Sequence, residues 1–147
     1  MRKLNKGKIM KNTILLTTLL SCFTTGFAQA ETNTVKNLLT VYSTQGATTA
    51  DAQQGKLLWQ KTFTGKGEFV SRSCTSCHTK DLTQAGKHIK TNKQIKAMSP
   101  SVNPQRLTSV KKINKWFKRN CKWTMGRECT AQEKADILIY IENESKF

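Results

Sequence analysis

Cys74-Thr75-Ser76-Cys77-His78 is the stretch whose reading decides how this 147-residue chain folds. Cys-x-x-Cys-His is the attachment signature of a c-type haem. Two thiols three residues apart on the first turn of a short helix lie at about the separation of a porphyrin's two vinyl groups, so each can form a thioether. His78 follows at once, and its imidazole can turn under the macrocycle to offer a ring nitrogen to the iron as proximal ligand. A competing use for Cys74 and Cys77 is half of a zinc site completed by Cys121 and Cys129. That second pair is spaced eight apart, whereas four-cysteine zinc sites usually offer a second short Cys-x-x-Cys, so haem is the preferred reading.

Upstream, residues 1–30 have the three parts of a secretory signal peptide. Arg2, Lys3, Lys6, Lys8 and Lys11 form a basic start, an apolar run follows from Ile14 to about Phe27, and Ala28-Gln29-Ala30 is a small-x-small cleavage site before Glu31. Thr17, Thr18, Ser21, Thr24 and Thr25 interrupt the apolar run, which makes it too short and too polar for a lasting membrane span. A rival processing site, Leu19-Leu20-Ser21-Cys22, faintly resembles that of a lipoprotein. Cleavage after Ala30 removes five of 25 basic residues and none of nine acidic ones, leaving 20 against nine, a balance of +11. Two ionised propionates bring this to about +9. Five cysteines become four, and the two beyond the haem motif, Cys121 and Cys129, suggest a disulfide in an oxidising compartment. Thioether attachment of haem also occurs outside the cytoplasm, so both inferences point to the periplasm.

The remaining 117 residues, 147 less 30, suit one domain of modest apolar content. A covalently held porphyrin would supply a large apolar plate for Trp, Phe, Leu and Ile to pack on. The chain without haem is therefore expected to fold poorly.

In chain order, Val35, Leu38, Leu39 and Tyr42 share one face of a leading helix over about 33–43. With the loop to Thr48 it makes a 31–48 segment ahead of a cytochrome c domain over 49–147. A second helix is expected from an N-cap at Thr49 to about Phe63, with Leu57 and Leu58 inward and Gly55 allowing another helix to approach closely. Trp59 and Phe63, four apart, would share a face, as core packing rather than direct haem contacts. Thr64-Gly65-Lys66-Gly67 reads as a turn. The polar stretch to Lys96 carries His88, expected to be solvated or a propionate partner rather than an iron ligand. Met98-Ser99-Pro100 and Asn103-Pro104 mark a loop around the haem edge.

Leu107, Val110, Ile113 and Phe117 predict a third helix capped by Thr108. Lys111, Lys112, Lys115, Lys118, Arg119 and Lys122 occupy its other faces, read as a solvated surface before a docking patch. Nucleic acid is not expected as a partner. Thr130-Ala131-Gln132-Glu133 is a capping box opening the last helix, with Ile137, Leu138, Tyr140 and Ile141 inward. No alternating strand pattern stands out.

The second axial ligand decides the function. The segment Asn120-Cys121-Lys122-Trp123-Thr124-Met125-Gly126-Arg127-Glu128-Cys129, placed between the last two helices, offers Asn120 and Met125, and Met98 is a further sulfur. A thioether favours Fe(II), raises the potential and keeps the iron six-coordinate, as an electron carrier needs. An amide oxygen is harder and weaker, and should hold Fe(III) but release Fe(II), opening a site for O2 or NO. A bland alternative for Asn120 is that it caps the preceding helix.

The haem motif, the Met98-Ser99-Pro100-Ser101-Val102-Asn103-Pro104 loop, and the run from Trp116-Phe117-Lys118-Arg119-Asn120-Cys121 to Gly126-Arg127-Glu128-Cys129-Thr130 together resemble the sphaeroides haem protein family of oxygen-binding c-type cytochromes. The resemblance covers roughly Gly55 to the C-terminus. It implies His78 as proximal and Asn120 as releasable distal ligand, a Cys121–Cys129 disulfide beside it, and a dihaem cytochrome c, itself fed by a membrane cytochrome, as electron donor. The expected protein is an all-α, class I-like cytochrome c fold around one covalently bound haem c, in the periplasm, high-spin when reduced and binding O2 or NO. A plain electron carrier with Met125 or Met98 as ligand is the alternative.

Overall fold

The structure, a computed structural model, describes residues 33–144. The expected signal peptide, its cleavage site and Cys22 lie outside the described residues. Helix α1 (Asn33–Thr44) forms where the 35-38-42 spacing predicts it and buries Val35, Leu38 and Tyr42. It packs on the last helix, α5 (Ala131–Glu142). Tyr42 also ties it to the long helix α4 (Val110–Met125): its hydroxyl is 3.3 Å from Asn114 Oδ1 and its ring meets Phe117 edge-on at 6.5 Å. Burial pushes the Tyr42 phenol up to about 12.

Helix α2 (Ala52–Gln60) is shorter than the apolar spacing suggests at both ends. Its N-cap is Asp51, not Thr49, because the carboxylate accepts from the Gln53 and Gln54 N–H groups at 2.7 and 3.2 Å. The Thr49 carbonyl is instead taken by Gln132 Nε2 at 3.2 Å. The helix stops at Gln60 because Phe63 pairs with Arg72 in a two-residue ladder, β1 (Phe63–Thr64) against β2 (Ser71–Arg72). Phe63 therefore does not share a helical face with Trp59. Leu57 is 55% exposed, against expectation, whereas Leu58 packs on the core. The inward face of α2 is set by Gly55, Leu58 and Trp59 at offsets of zero, three and four, and an offset of two lies about 200° round the helix.

Gly55 does the work expected of it. A Cβ there would collide with the Asp136 carbonyl and lie 2.8 Å from the Tyr140 Cβ, so α2 and α5 cross backbone to backbone. Asp136, 7% exposed, is satisfied at this crossing by the Asp51 N–H at 2.8 Å and Gln132 Nε2 at 2.7 Å. The Thr130–Glu133 capping box opens α5, and Ile137, Leu138, Tyr140 and Ile141 are buried.

The haem motif itself forms the short helix α3 (Thr75–His78), and a second ladder, β3 (Gly86–Lys87) with β4 (Gln94–Ile95), packs beside it. Ladders two residues long leave no alternating pattern to read. Helix α4 is capped by Ser109, which accepts from the Lys112 N–H, rather than by Thr108, whose hydroxyl donates to Gln105. Leu107 lies outside the helix, buried, with φ +61°. The helix continues through Met125 and ends at Gly126, φ +74°. Asn120 is thus inside α4, not in a connecting segment, and does not cap it. No helix among the described residues is long and apolar enough to cross a membrane.

Candidate haem-binding site

The haem motif is held in one helical turn by its own spacer residues. The Cys74 carbonyl accepts from the Cys77 and His78 N–H groups at 3.2 and 3.0 Å. Buried Ser73 gathers the hydroxyls of Thr75 and Ser76 at 2.7 and 3.1 Å, and its N–H donates to Ser76 Oγ. Polar spacers between the cysteines thus stitch the turn from its N-terminal side. Cys74 and Cys77 carry free thiols. Burial pushes the Cys74 thiol up to about 12, which keeps it protonated.

Two elements pack against His78 and the turn that carries it. The buried Trp59 ring lies 5.5 Å from the imidazole, tilted by 42°, and its indole N–H donates to the Thr79 carbonyl at 3.0 Å. Strand β3 passes so close that a Cβ on Gly86 would run into the Cys77 carbonyl and lie 3.0 Å from the His78 Cα. Burial first, then the charges of Arg106 and His88, lower the His78 pKa to about 4, so the ring is neutral at pH 7. Its Nδ1 is buried without a hydrogen-bond partner. Two free thiols beside a neutral, unpartnered imidazole are a donor set that fits a covalently held porphyrin iron.

The zinc alternative fails on its second pair. Cys121 and Cys129 are joined, with Cα atoms 5.5 Å apart, and have no thiolate to give. Among the described residues no cluster of three or more His, Cys, Asp or Glu side chains is arranged to hold a metal ion.

The other possible ligands are distributed as follows. Asn120 is half-buried on α4, and its carboxamide has no hydrogen-bond partner among the described residues. Met125, five residues on, lies about 140° further round the same helix, with Sδ 3.7 Å from Cys129 Sγ. The two therefore lie on different faces of α4. Met98 packs against the core while its N–H and that of Ser99 are held by the Leu82 carbonyl at 2.9 and 2.8 Å. The rest of that loop is closed by Asn103 Nδ2 and by Arg106, both donating to the Ala97 carbonyl. His88 is exposed, and its Nδ1 accepts from the Lys90 and Thr91 N–H groups at 3.3 and 3.2 Å. Arg72, Gly86 and Arg106 were not singled out by sequence, since an isolated arginine or glycine in a polar stretch carries no periodic signal.

Over 123 residues the chain is 38% identical to cytochrome c-type protein SHP of Cereibacter sphaeroides, a match covering 84% of this chain and 94% of that one. The chain belongs to the sphaeroides haem protein family. The family described as Domain of unknown function (DUF1924) matches residues 45–141. Cytochrome c'' of Methylophilus methylotrophus is 34% identical over 93 residues, 63% of each chain. Among solved structures, oxidized SHP, an oxygen-binding cytochrome c, superposes with a TM-score of 0.68 at 36% identity, covering 76% of this chain and 98% of that one. Oxidized cytochrome c'' of M. methylotrophus gives 0.63 at 27% identity, covering 74% and 92%. The expected fold and cofactor therefore stand: the chain is a helix-rich, class I-like monohaem cytochrome that carries covalent haem c. Its leading helix α1, upstream of the DUF1924 match, shares the same core.

Proposed function

We propose that Cys74 and Cys77 add their thiols across the two haem vinyl groups, that His78 is the proximal ligand, and that Asn120 is a distal ligand released on reduction. When bound, the haem would supply a redox-active iron able to take up O2 or NO in its ferrous form. The observation that carries this reading is the placement of Asn120. Its carboxamide is unengaged, while the following residue, Cys121, is fixed by the bridge to Cys129. A donor too weak to hold its own backbone in place is thereby kept in position. The carboxamide oxygen is a hard donor that suits Fe(III) better than Fe(II).

The rival sulfur of Met125 lies against the disulfide, which counts against the plain electron carrier. The oxygen-binding description of SHP supports the gas-binding reading, and the solution study of cytochrome c'' concerns haem-ligand detachment in that relative. Electrons would come from a dihaem or membrane cytochrome in the periplasm, reached through the 1–30 signal peptide. Asn120→Ala tests the ligand. The haem should stay attached and the ferric form become five-coordinate or water-bound, whereas Met125→Ala should change little. Loss of a methionine-to-iron absorption band in Met125→Ala would reverse the assignment.

A further inference from the structure

Two segments must hold a fixed spacing for a weak distal ligand to work: the one that enters the haem motif and the turn of α4 that carries Asn120. Arg72, two residues before Cys74, reaches both. Its Nε donates to the Phe69 carbonyl at 2.7 Å and its Nη2 to the Lys66 carbonyl at 2.5 Å, which locks the guanidinium into its own hairpin. Nη1 then crosses to the Trp123 carbonyl at 2.8 Å, and Cζ sits 4.8 Å from the centroid of the Trp123 ring. Trp123 is three residues after Asn120, on the same side of α4. Among the described residues this is the one hydrogen bond between residues 61–78 and 110–129. The hairpin turn makes room for it: a Cβ on Gly65 would collide with the Arg72 Nε. No carboxylate neutralises Arg72 among the described ion pairs, so its partners are three carbonyls and an aromatic face, a set only a planar five-donor fork satisfies.

We infer that Arg72 is a positioning residue: it clamps the Asn120–Trp123 turn of α4 to the hairpin entering the haem motif, and so sets how closely Asn120 approaches the iron. The inference rests on Asn120 being the distal ligand. A lysine in its place keeps the charge but loses the fork and the stacking.

The test compares haem-loaded wild type, Arg72→Lys and Thr130→Ala, the last a cap variant that lowers the melt from the far end of the disulfide loop. In Arg72→Lys, amide hydrogen exchange across residues 120–126 should rise about ten-fold, the equivalent of one lost charge-assisted hydrogen bond. The ferric spectrum should gain a high-spin component. Thr130→Ala should show neither change. Should Arg72→Lys not accumulate, Trp123→Leu, which removes the stacking face and keeps the carbonyl, is expected to show the same changes at smaller size. Wild-type exchange and spin state in both Arg72→Lys and Trp123→Leu would overturn the inference, as would equal changes in Thr130→Ala. Asn120→Ala separates the two ideas. If its ferric spectrum matches wild type, the ligand assignment falls; if it turns high-spin while Arg72→Lys does not, the positioning role alone falls.

Discussion

The Trp59 ring lies 5.5 Å from the His78 imidazole, centroid to centroid, and its indole N–H is bound to the carbonyl of Thr79 at 3.0 Å. One side chain thus packs on the histidine of the haem motif and fixes the backbone that follows it. Trp59 also meets Tyr140 edge-on at 6.2 Å, which couples this wall to the α2–α5 crossing. Trp59→Phe keeps a ring and loses the hydrogen bond, and should cost about 1 kcal/mol in denaturant unfolding of the haem-loaded protein. Trp59→Ala should cost about 3–5 kcal/mol. Equal stability of wild type and Trp59→Phe would show that the Thr79 contact contributes nothing.

Gly86 backs directly onto the Cys77 carbonyl, and an added methyl has nowhere to go except by moving β3 or the haem turn. Gly86→Ala is expected to lose about 1–3 kcal/mol, as overpacking does, and to lower the yield of covalently attached haem. Its exposed neighbour serves as control: Lys87→Ala should stay within about 0.5 kcal/mol of wild type. Haem staining of denatured protein checks the attachment.

Reading of the sequence reached the cofactor and the last helix because both are written locally. Cys74, Cys77 and His78 are contiguous, and the Thr130–Glu133 capping box is a short, direct signal that the structure reproduces. The buried faces of α1 and α5 were equally legible from their spacing. What escaped was set by tertiary contacts. Asp51 displaces Thr49 as a cap because Gln132 claims the Thr49 carbonyl. Phe63 leaves the helix because Arg72 offers it a strand partner. Helix α4 runs past Asn120 to Met125, which asparagine's indifferent helix propensity does not announce; only Gly126 marks the stop. That one difference changes the argument about ligands, since a helix fixes the angle between Asn120 and Met125 where a loop would leave it free.

The bridge between Cys121 and Cys129 closes a loop of eight residue steps. In the chain-entropy description it contributes about 2.5 kcal/mol. The double variant Cys121→Ser/Cys129→Ser should lose stability on that scale. It should also show a larger high-spin fraction in the ferric state, because the restraint one residue from Asn120 is gone. A stability loss with an unchanged ferric spectrum would make the bridge a staple of the fold alone.

Glu133 accepts from both terminal nitrogens of Arg127 and from the Thr130 N–H, and these hold its carboxyl below the usual range. A depressed folded-state pKa means that the charged form is favoured by folding. The stabilisation is therefore fully present above the unfolded value of about 4.3 and is lost as pH falls through the lower folded value. Glu133→Gln keeps an acceptor for the cap and removes the charge. It should be less stable than wild type at pH 7, and the gap between the two denaturation midpoints should narrow as pH falls below the unfolded value and vanish below the lower folded one. A gap that persists unchanged into acid would assign the effect to packing.

The central claim is that the iron is held firmly by His78 and only conditionally by Asn120. The most direct measurement is the absorption spectrum of the dithionite-reduced protein before and after adding CO. A high-spin ferrous spectrum that shifts on CO is the predicted result; a low-spin ferrous spectrum indifferent to CO would contradict it.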